Sequence, residues 1–181
     1  MDNANTTIRI PERLFAPAEM EHFEGEWDFP VLKTGPDLYS FAEPLRWAVD
    51  VTNTGDAFLV SGTVEGMATT ACARCLSDAQ FDLLGEVEGY FVVGEDESPE
   101  DLEDDEFDVL SADHTIDLVP LMQAALLLEL PRVPLCRDDC KGICVTCGQN
   151  LNEGSCDCAQ PDGDVPAADN PFAKLADLKL D

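Results

Sequence analysis

Alternating hydrophobic and polar residues between positions 45 and 66 predict a β-hairpin. The turn at 53–56 reads Asn-Thr-Gly-Asp, which is typical turn chemistry. The apolar positions that share one face are Leu45, Trp47, Val49 and Val51 on the first strand, and Phe58, Val60 and Val64 on the second.

Further short strands are expected on both sides of this hairpin. Residues 69–75 extend its second strand to a cysteine turn, and residues 79–93 indicate one or two more strands with bends at glycines. Residues 6–10 fit an edge strand, whereas 18–30 favour a short helix or an irregular cover. Phe107 and Val109 are expected to return the chain to the core. Consecutive antiparallel strands of this kind predict a mainly β (α+β) fold, built on a small, partly closed antiparallel barrel.

A helix is predicted from about Leu118 to Leu130. Asp117 can cap it, Pro120 fits its first turn, and Pro131 prevents its continuation. Because the segment is apolar almost all round, we expect the helix to be buried or to plug the barrel mouth. The two histidines, His22 and His114, are interpreted as surface or structural residues.

The charge of the chain narrows its possible partners. Its 181 residues carry 38 acids and 10 bases, a net charge of −28. Such a chain repels phosphate backbones and acidic membranes. Residues 95–108 hold ten of the acids and no base, which is typical of a solvated, disordered loop. A decoy for nucleic acid or a dock for a basic partner is the sharper interpretation of that loop.

The beginning of the chain has neither the basic nor the apolar region of a secretory signal, and its longest apolar stretch is too short to cross a bilayer. We therefore expect a cytoplasmic protein. In a reducing compartment, clustered cysteines bind metal or do redox chemistry more often than they form structural disulfides.

Eight cysteines are the main candidate functional residues. Two Cys-x-x-Cys pairs, one Cys-x-x-x-Cys and one Cys-x-Cys make two sets of four thiolates, the ligand set of a closed, structural zinc site. Proximity along the chain favours one zinc at each of two sets, although an exchange of the 136/140 and 156/158 pairs is an open alternative. The favoured sets are Cys72, Cys75, Cys136 and Cys140, and Cys144, Cys147, Cys156 and Cys158.

Four bases flank the cysteines: Arg74, Arg132, Arg137 and Lys141. Their expected role is to offset the negative charge of four-thiolate zinc sites, and contact with RNA or an acidic partner is the alternative. Gly148, directly after a Cys-x-x-Cys pair, permits a left-handed turn. No catalytic residues are predicted, since the chain carries no zinc-protease motif, phosphate-binding loop or Gly-x-Ser-x-Gly element.

The chain divides into a β-domain at 1–131 and a cysteine-rich, zinc-binding tail at 132–181. The tail ends in a short helix that begins near Asn170 and Pro171, with an apolar stripe of Phe172, Leu175 and Leu178. The stripe is expected to dock on the β-domain.

Several of these elements resemble the YceD family, the large ribosomal RNA subunit accumulation proteins. The element Cys-x-Arg-Cys-Leu stands at 72–76, Pro-x-x-Pro-x-Cys at 131–136 and Gly-x-Asn-Leu-Asn at 148–152. Val145 replaces the usual proline after the first cysteine of the second Cys-x-x-Cys pair. The arginine of the closing Asp-Pro-Arg element is missing at 169–172.

The resemblance implies a non-enzymatic factor that supports 23S ribosomal RNA accumulation and large-subunit assembly. Its implied partner is the large-subunit precursor, and the acidic surface favours a basic ribosomal protein as the direct contact. Two other functions remain open. A redox-controlled zinc chaperone would use the same thiols, and a zinc-ribbon module in transcription would need nucleic-acid affinity.

Overall fold

The computed structural model describes residues 6–94 and 107–158. This part of the chain is mainly β, with one α-helix and one 3₁₀ helix. In chain order the elements are β1 Thr7–Arg9, the 3₁₀ helix Glu12–Phe15, β2 Met20–Trp27, β3 Val31–Thr34, β4 Asp37–Phe41, β5 Leu45–Asn53, β6 Ala57–Ala71, β7 Asp78–Val92, β8 Asp108–Val109, β9 Thr115–Asp117 and α1 Val119–Glu129.

The predicted hairpin is confirmed as β5 and β6. Val51 lies opposite Val60 across the pair, and the Thr54 amide donates to the Ala57 carbonyl at 2.9 Å to close the turn. The Asn53 carboxamide oxygen accepts from the Gly55 amide at 2.7 Å. Its nitrogen donates to the buried Leu14 carbonyl at 2.8 Å, so the turn is tied to the 3₁₀ helix.

The strands form an open sheet, and the prediction of a partly closed barrel is wrong. The pairing order is β2-β5-β6-β4-β3, and β7 runs along the other edge of β6 from Ala57 to Ala71. The short β8 then pairs with β7 in parallel. Among the described residues no pairing joins β7 or β8 at one edge of the sheet to β2 or β3 at the other. The two-stranded sheet of β1 and β9 confirms the expected edge strand at 6–10.

Helix α1 covers one face of the sheet and is only half buried. Met122, Ala125 and Leu126 are buried, whereas Leu127 and Leu128 are 44% and 84% exposed. A helix on one face of an open sheet has a solvent side, and an enclosed position was therefore the wrong expectation. The backbone of α1 comes close to β7 at Gly85, where an added Cβ would lie 2.9 Å from the Ala125 Cβ.

Asp117 does hydrogen-bond to the start of α1 as predicted, but it is not the capping residue itself. The Asp117 carboxylate accepts from the Val119 amide at 3.0 Å. Leu118 is the capping residue by backbone geometry, so Asp117 acts from one position earlier.

Residues 18–30 do not form a helix or an irregular cover. They contain strand β2, which pairs with β5 in the register Phe23 to Val49 and Trp27 to Leu45. Glu24 and Glu26 lie on the exposed face of this strand, together with Met20 and His22. Gly25 lies against the Trp47 ring, where a Cβ would come within 2.7 Å of the Trp47 Cζ2 atom.

Other elements refine the expectations. The hairpin of β3 and β4 was not predicted, and residues 79–92 of the segment 79–93 lie in one strand, β7. Val109 is exposed, and Leu110 is the buried residue of that segment. His22 is exposed and lies 2.8 Å from the Asp50 carboxylate.

Positions 95–106 of the acidic segment and the expected C-terminal helix lie outside the described residues. Within 6–94 and 107–158, no helix is long and apolar enough to cross a membrane.

Candidate metal centres

The eight cysteines gather into two groups of four. The sulfurs of each group all lie within 4.8 Å of one another, and all eight residues are free thiols. The first site is Cys72, Cys75, Cys136 and Cys140, and the second site is Cys144, Cys147, Cys156 and Cys158. This is the grouping that proximity along the chain favours, and the exchanged arrangement is not the one observed.

The first half of the first site is the connection between β6 and β7. The Arg74 amide donates to the Cys72 sulfur at 3.4 Å, and the Leu76 amide donates to the Cys72 carbonyl at 2.9 Å. Leu76 has a φ of 61°, a left-handed conformation. The Cys72 amide donates to the Ser77 carbonyl at 2.8 Å, which closes the turn. Two sulfurs are thereby fixed at the end of the long ribbon.

The second half of the first site comes from residues 134–140. The Ala73 amide donates to the Pro134 carbonyl at 2.8 Å and holds this segment against the turn. The Cys72 and Cys140 sulfurs are 3.8 Å apart, and those of Cys75 and Cys136 are 3.5 Å apart. Four thiolates around a tetrahedral zinc with Zn–S bonds of about 2.3 Å stand about 3.8 Å apart. These two distances are close to the separation that such an ion requires.

The second site begins with a turn of the same design. The Thr146 amide donates to the Cys144 sulfur at 3.4 Å, and the Gly148 amide donates to the Cys144 carbonyl at 2.8 Å. Gly148 has a φ of 75°, which confirms the left-handed turn expected there. Cys156 and Cys158 complete the group from the end of the described chain.

The two sites differ in burial. In the first site Cys72, Cys75 and Cys140 are buried, with exposures of 0%, 5% and 3%, and Cys136 is exposed. In the second site Cys147 is exposed and the other three cysteines are half-buried. The first site is therefore part of the packed structure, whereas the second is accessible from solvent.

Two asparagines connect the sites, and residue-level reasoning did not select them as site residues. The Asn152 carboxamide donates to the Cys140 sulfur at 3.3 Å and accepts from the Lys141 amide at 2.8 Å. The Asn150 carboxamide donates to the Ser77 hydroxyl at 3.2 Å. The available signal was the Gly-x-Asn-Leu-Asn element of the family resemblance. These contacts tie the second knuckle to the first site.

Hydrogen bonds to sulfur decide which thiols ionise first. Burial raises the pKa of Cys72, but backbone N–H groups of Cys136, Cys75 and Arg74 outweigh it and lower that pKa to about 6. Backbone N–H groups of Cys147 and Thr146 lower the pKa of Cys144 to about 6. Each site thus holds at least one thiol that is largely a thiolate at neutral pH.

The opposite shift keeps at least one thiol in each site protonated at neutral pH. Hydrogen bonding to the Cys75 sulfur raises the pKa of Cys136 to about 12. Hydrogen bonding to the Cys147 sulfur raises the pKa of Cys158 to about 12. Four thiolates this close repel one another strongly, and a bound divalent cation would remove that repulsion. Both sites can hold a metal ion, and an all-sulfur donor set suits zinc or an iron–sulfur cluster.

The four flanking bases make different contacts. The Arg74 guanidinium donates to the Cys140 carbonyl at 3.0 Å, so it bridges the two halves of the first site. Arg137 pairs with Asp139 at 3.5 Å, and Arg132 and Lys141 have exposed side chains. Contacts with a partner through these residues stay a prediction.

Residues 60–179 match the family model described as "Large ribosomal RNA subunit accumulation protein YceD". An uncharacterized protein of Mycobacterium tuberculosis is 33% identical over 128 residues, covering 71% of this chain and 58% of the relative. A maize protein named "Large ribosomal RNA subunit accumulation protein YCED homolog 1, chloroplastic" is 29% identical over 142 residues, covering 64% of this chain and 48% of the relative. The Arabidopsis thaliana protein of the same name is 27% identical over 151 residues, covering 70% of this chain and 47% of the relative. The chain thus matches about half the length of these relatives. No solved structure matches the chain significantly.

Proposed function

The chain belongs to the YceD family of large ribosomal RNA subunit accumulation proteins, and from that premise we propose that it supports 23S ribosomal RNA accumulation and large-subunit assembly in the cytoplasm. The names of the two plant relatives support this role. The family name describes an effect on the amount of RNA and no reaction. We therefore assign the chain a non-enzymatic role, in which it acts by binding.

Each cysteine site binds one zinc ion in this proposal. The observation that carries it is the placement of two four-sulfur groups, each with a backbone N–H group directed at a sulfur of its Cys-x-x-Cys turn. Four protein ligands fill a tetrahedral coordination sphere and leave no position for substrate or water. The metal role is therefore structural.

The first zinc joins the two parts of the chain. Its ligands at 72 and 75 belong to the β-domain at 1–131, and those at 136 and 140 belong to the tail at 132–181. A metal at this junction fixes the tail against the end of the β6–β7 ribbon.

Deletion of the gene in the source organism tests the proposed function. We expect 23S ribosomal RNA to fall relative to 16S, and the wild-type gene to restore the ratio. Cys72→Ser should restore it less well than Glu129→Gln, a substitution on the exposed end of α1 that serves as the control. An unchanged ratio after deletion would show that the proposed function is wrong.

The redox-controlled chaperone is the second candidate, and the exposed Cys147 is the observation that favours it. Peroxide should then release zinc and switch on suppression of aggregation of an unfolded client such as citrate synthase. If oxidised protein leaves that aggregation unchanged, the chaperone function is excluded.

A further inference from the structure

One face of the large sheet is left uncovered by the described residues. Helix α1 lies on the opposite face, where Gly85 and Val87 are buried. The strand register places the exposed side chains of β2, β5, β6 and β7 in rows across this outer face. The acids of the outer face are Glu24 and Glu26 on β2, Asp50 on β5, Glu65 on β6, and Asp82, Glu86 and Glu88 on β7.

The outer face is apolar as well as acidic. Large hydrophobic side chains are exposed among the acids, on β2, β6 and β7. Their exposures are 62% for Met20, 40% for Leu59, 53% for Met67 and 55% for Leu84. Apolar side chains that project from a rigid sheet among charges are typical of a protein-binding surface.

Two adjoining depressions run across the outer face. The upper one, of about 430 Å³, lies around the small Ala48, between Glu24 and Thr63. The lower one, of about 610 Å³, is bordered by Glu43, Asp82 and Met67. The two depressions share Glu26, Arg46 and Glu65, and together they form what we call the acidic groove.

The charge of the acidic groove is negative despite the arginine in its centre. Arg46 pairs with Glu65 at 2.8 Å, so its charge is offset within the groove. Glu24, Glu43 and Asp82 remain around it as exposed carboxylates.

We infer that the acidic groove is a docking site for a lysine- and arginine-rich polypeptide segment that also carries apolar side chains. Carboxylates on both sides would pair with the cationic groups, and Met67 and Leu84 would contact the apolar ones. RNA would be repelled by the same carboxylates, and so would the acidic groove of a second copy. The inference deepens the proposed function and rests on it only for the class of partner, the basic proteins of the large ribosomal subunit.

The test compares two variants with the same change in net charge. Glu24→Lys, Glu43→Lys and Asp82→Lys together reverse the acidic groove. Glu19→Lys, Glu129→Lys and Asp138→Lys reverse three exposed acids elsewhere. The probes are individually purified large-subunit ribosomal proteins, with a lysine homopolymer as the probe of charge alone.

The expected result is a ribosomal protein whose affinity falls about tenfold or more with the groove variant and about twofold or less with the control variant. A double substitution, Met67→Thr with Leu84→Thr, should weaken the same complex without changing the charge, but should leave homopolymer binding unchanged. Thermal unfolding of each variant verifies that the sheet is intact. Equal effects of the groove and control variants would overturn the docking site, as would preferential binding of RNA or protection of the groove by a second copy.

Complementation of the deletion strain distinguishes a failure of the docking site from a failure of the proposed function. If deletion lowers 23S ribosomal RNA and the groove variant restores it fully, the docking site is wrong and the function stands. If deletion leaves 23S ribosomal RNA unchanged while a basic probe still depends on the groove, the function is wrong and the docking site stands.

Discussion

Leu76 and Gly148 occupy the same position in the two cysteine turns, one residue after the second cysteine, and both have a left-handed backbone. Their φ angles are 61° and 75°. Each donates its amide to the carbonyl of the first cysteine in its turn, at 2.9 Å and 2.8 Å. Glycine adopts this conformation without strain, whereas leucine does so at a cost of about 1–2 kcal/mol. The first site bears that strain within a packed environment, and the second site, which is more exposed, uses the residue that avoids it.

Replacement of Gly148 should therefore weaken the second site. Gly148→Ala introduces a Cβ into a left-handed turn, at a cost of about 1 kcal/mol or about fivefold in zinc affinity. Chelator competition measures the affinity. Gly154→Ala is the matched control, because its Cβ would only meet the Gln149 carboxamide at an ordinary 3.6 Å. Equal affinities of the two variants would contradict the role assigned to the turn.

Single ligand substitutions should separate the two sites. Cys72→Ser and Cys147→Ser are each expected to reduce bound zinc from two ions per chain to one, measured by elemental analysis. Only Cys72→Ser should destabilise the sheet, since Cys72 is fully buried at the end of β6, whereas Cys147 is exposed. Loss of the first metal should lower the unfolding temperature by about 5 °C or more at this chain length.

That expectation fails if the two serine variants unfold at the same temperature. Hydrogen exchange at the paired ends of β6 and β7 provides an independent readout. Exchange there should rise in Cys72→Ser alone.

Arg74 should stabilise the first site through its hydrogen bond as well as through its positive charge. Arg74→Ala removes the 3.0 Å hydrogen bond to the Cys140 carbonyl, and a bond of this kind contributes about 1 kcal/mol. Zinc should then leave the first site faster when a chelator is added. Arg132→Ala makes the same change in charge at an exposed neighbouring position and should leave the rate nearly unchanged. Similar rates for both variants would mean that charge alone matters.

Zinc uptake by the metal-free protein should depend on pH. The pKa values of Cys136 and Cys158 are raised to about 12 without metal, so these thiols carry protons at pH 7 that zinc must displace. Protons compete with the metal, and apparent affinity should therefore rise from pH 6 to pH 9. Calorimetry in two buffers of different ionisation enthalpy measures the released protons. An affinity that does not vary with pH would contradict this assignment.

Local patterns predicted the elements whose partners lie nearby in the chain. The β5–β6 hairpin follows from the alternation of hydrophobic and polar residues and from a four-residue turn, and both can be recognised in the sequence at 45–66. The two groups of cysteines followed from the same reasoning, because close ligands cost little loop entropy. The cap supplied by Asp117 and the left-handed Gly148 were predictable for the same reason.

The sequence did not predict correctly the elements that depend on partners far away along the chain. Strand β2 contains Glu24 and Glu26, poor strand formers that a helix would equally accept, and only its pairing with β5 makes it a strand. Helix α1 was expected to be enclosed because its sequence is apolar on nearly every side. The contact of α1 with Gly85 on β7 determines which side of the helix is covered, and Leu128 is exposed to solvent.

The sequence by itself determined the chemistry of this protein: eight thiols in four close pairs, a strongly acidic surface and a hairpin with a defined turn. These properties depend on residue type and short spacing, which do not change on folding. The tertiary structure alone decided that the sheet stays open, and that three cysteines of the first site are buried whereas none of the second site is. It also decided that acids of four strands share one face with Met67 and Leu84. These features arise from pairing between segments far apart in the chain, where burial and register, rather than local preference, select the arrangement.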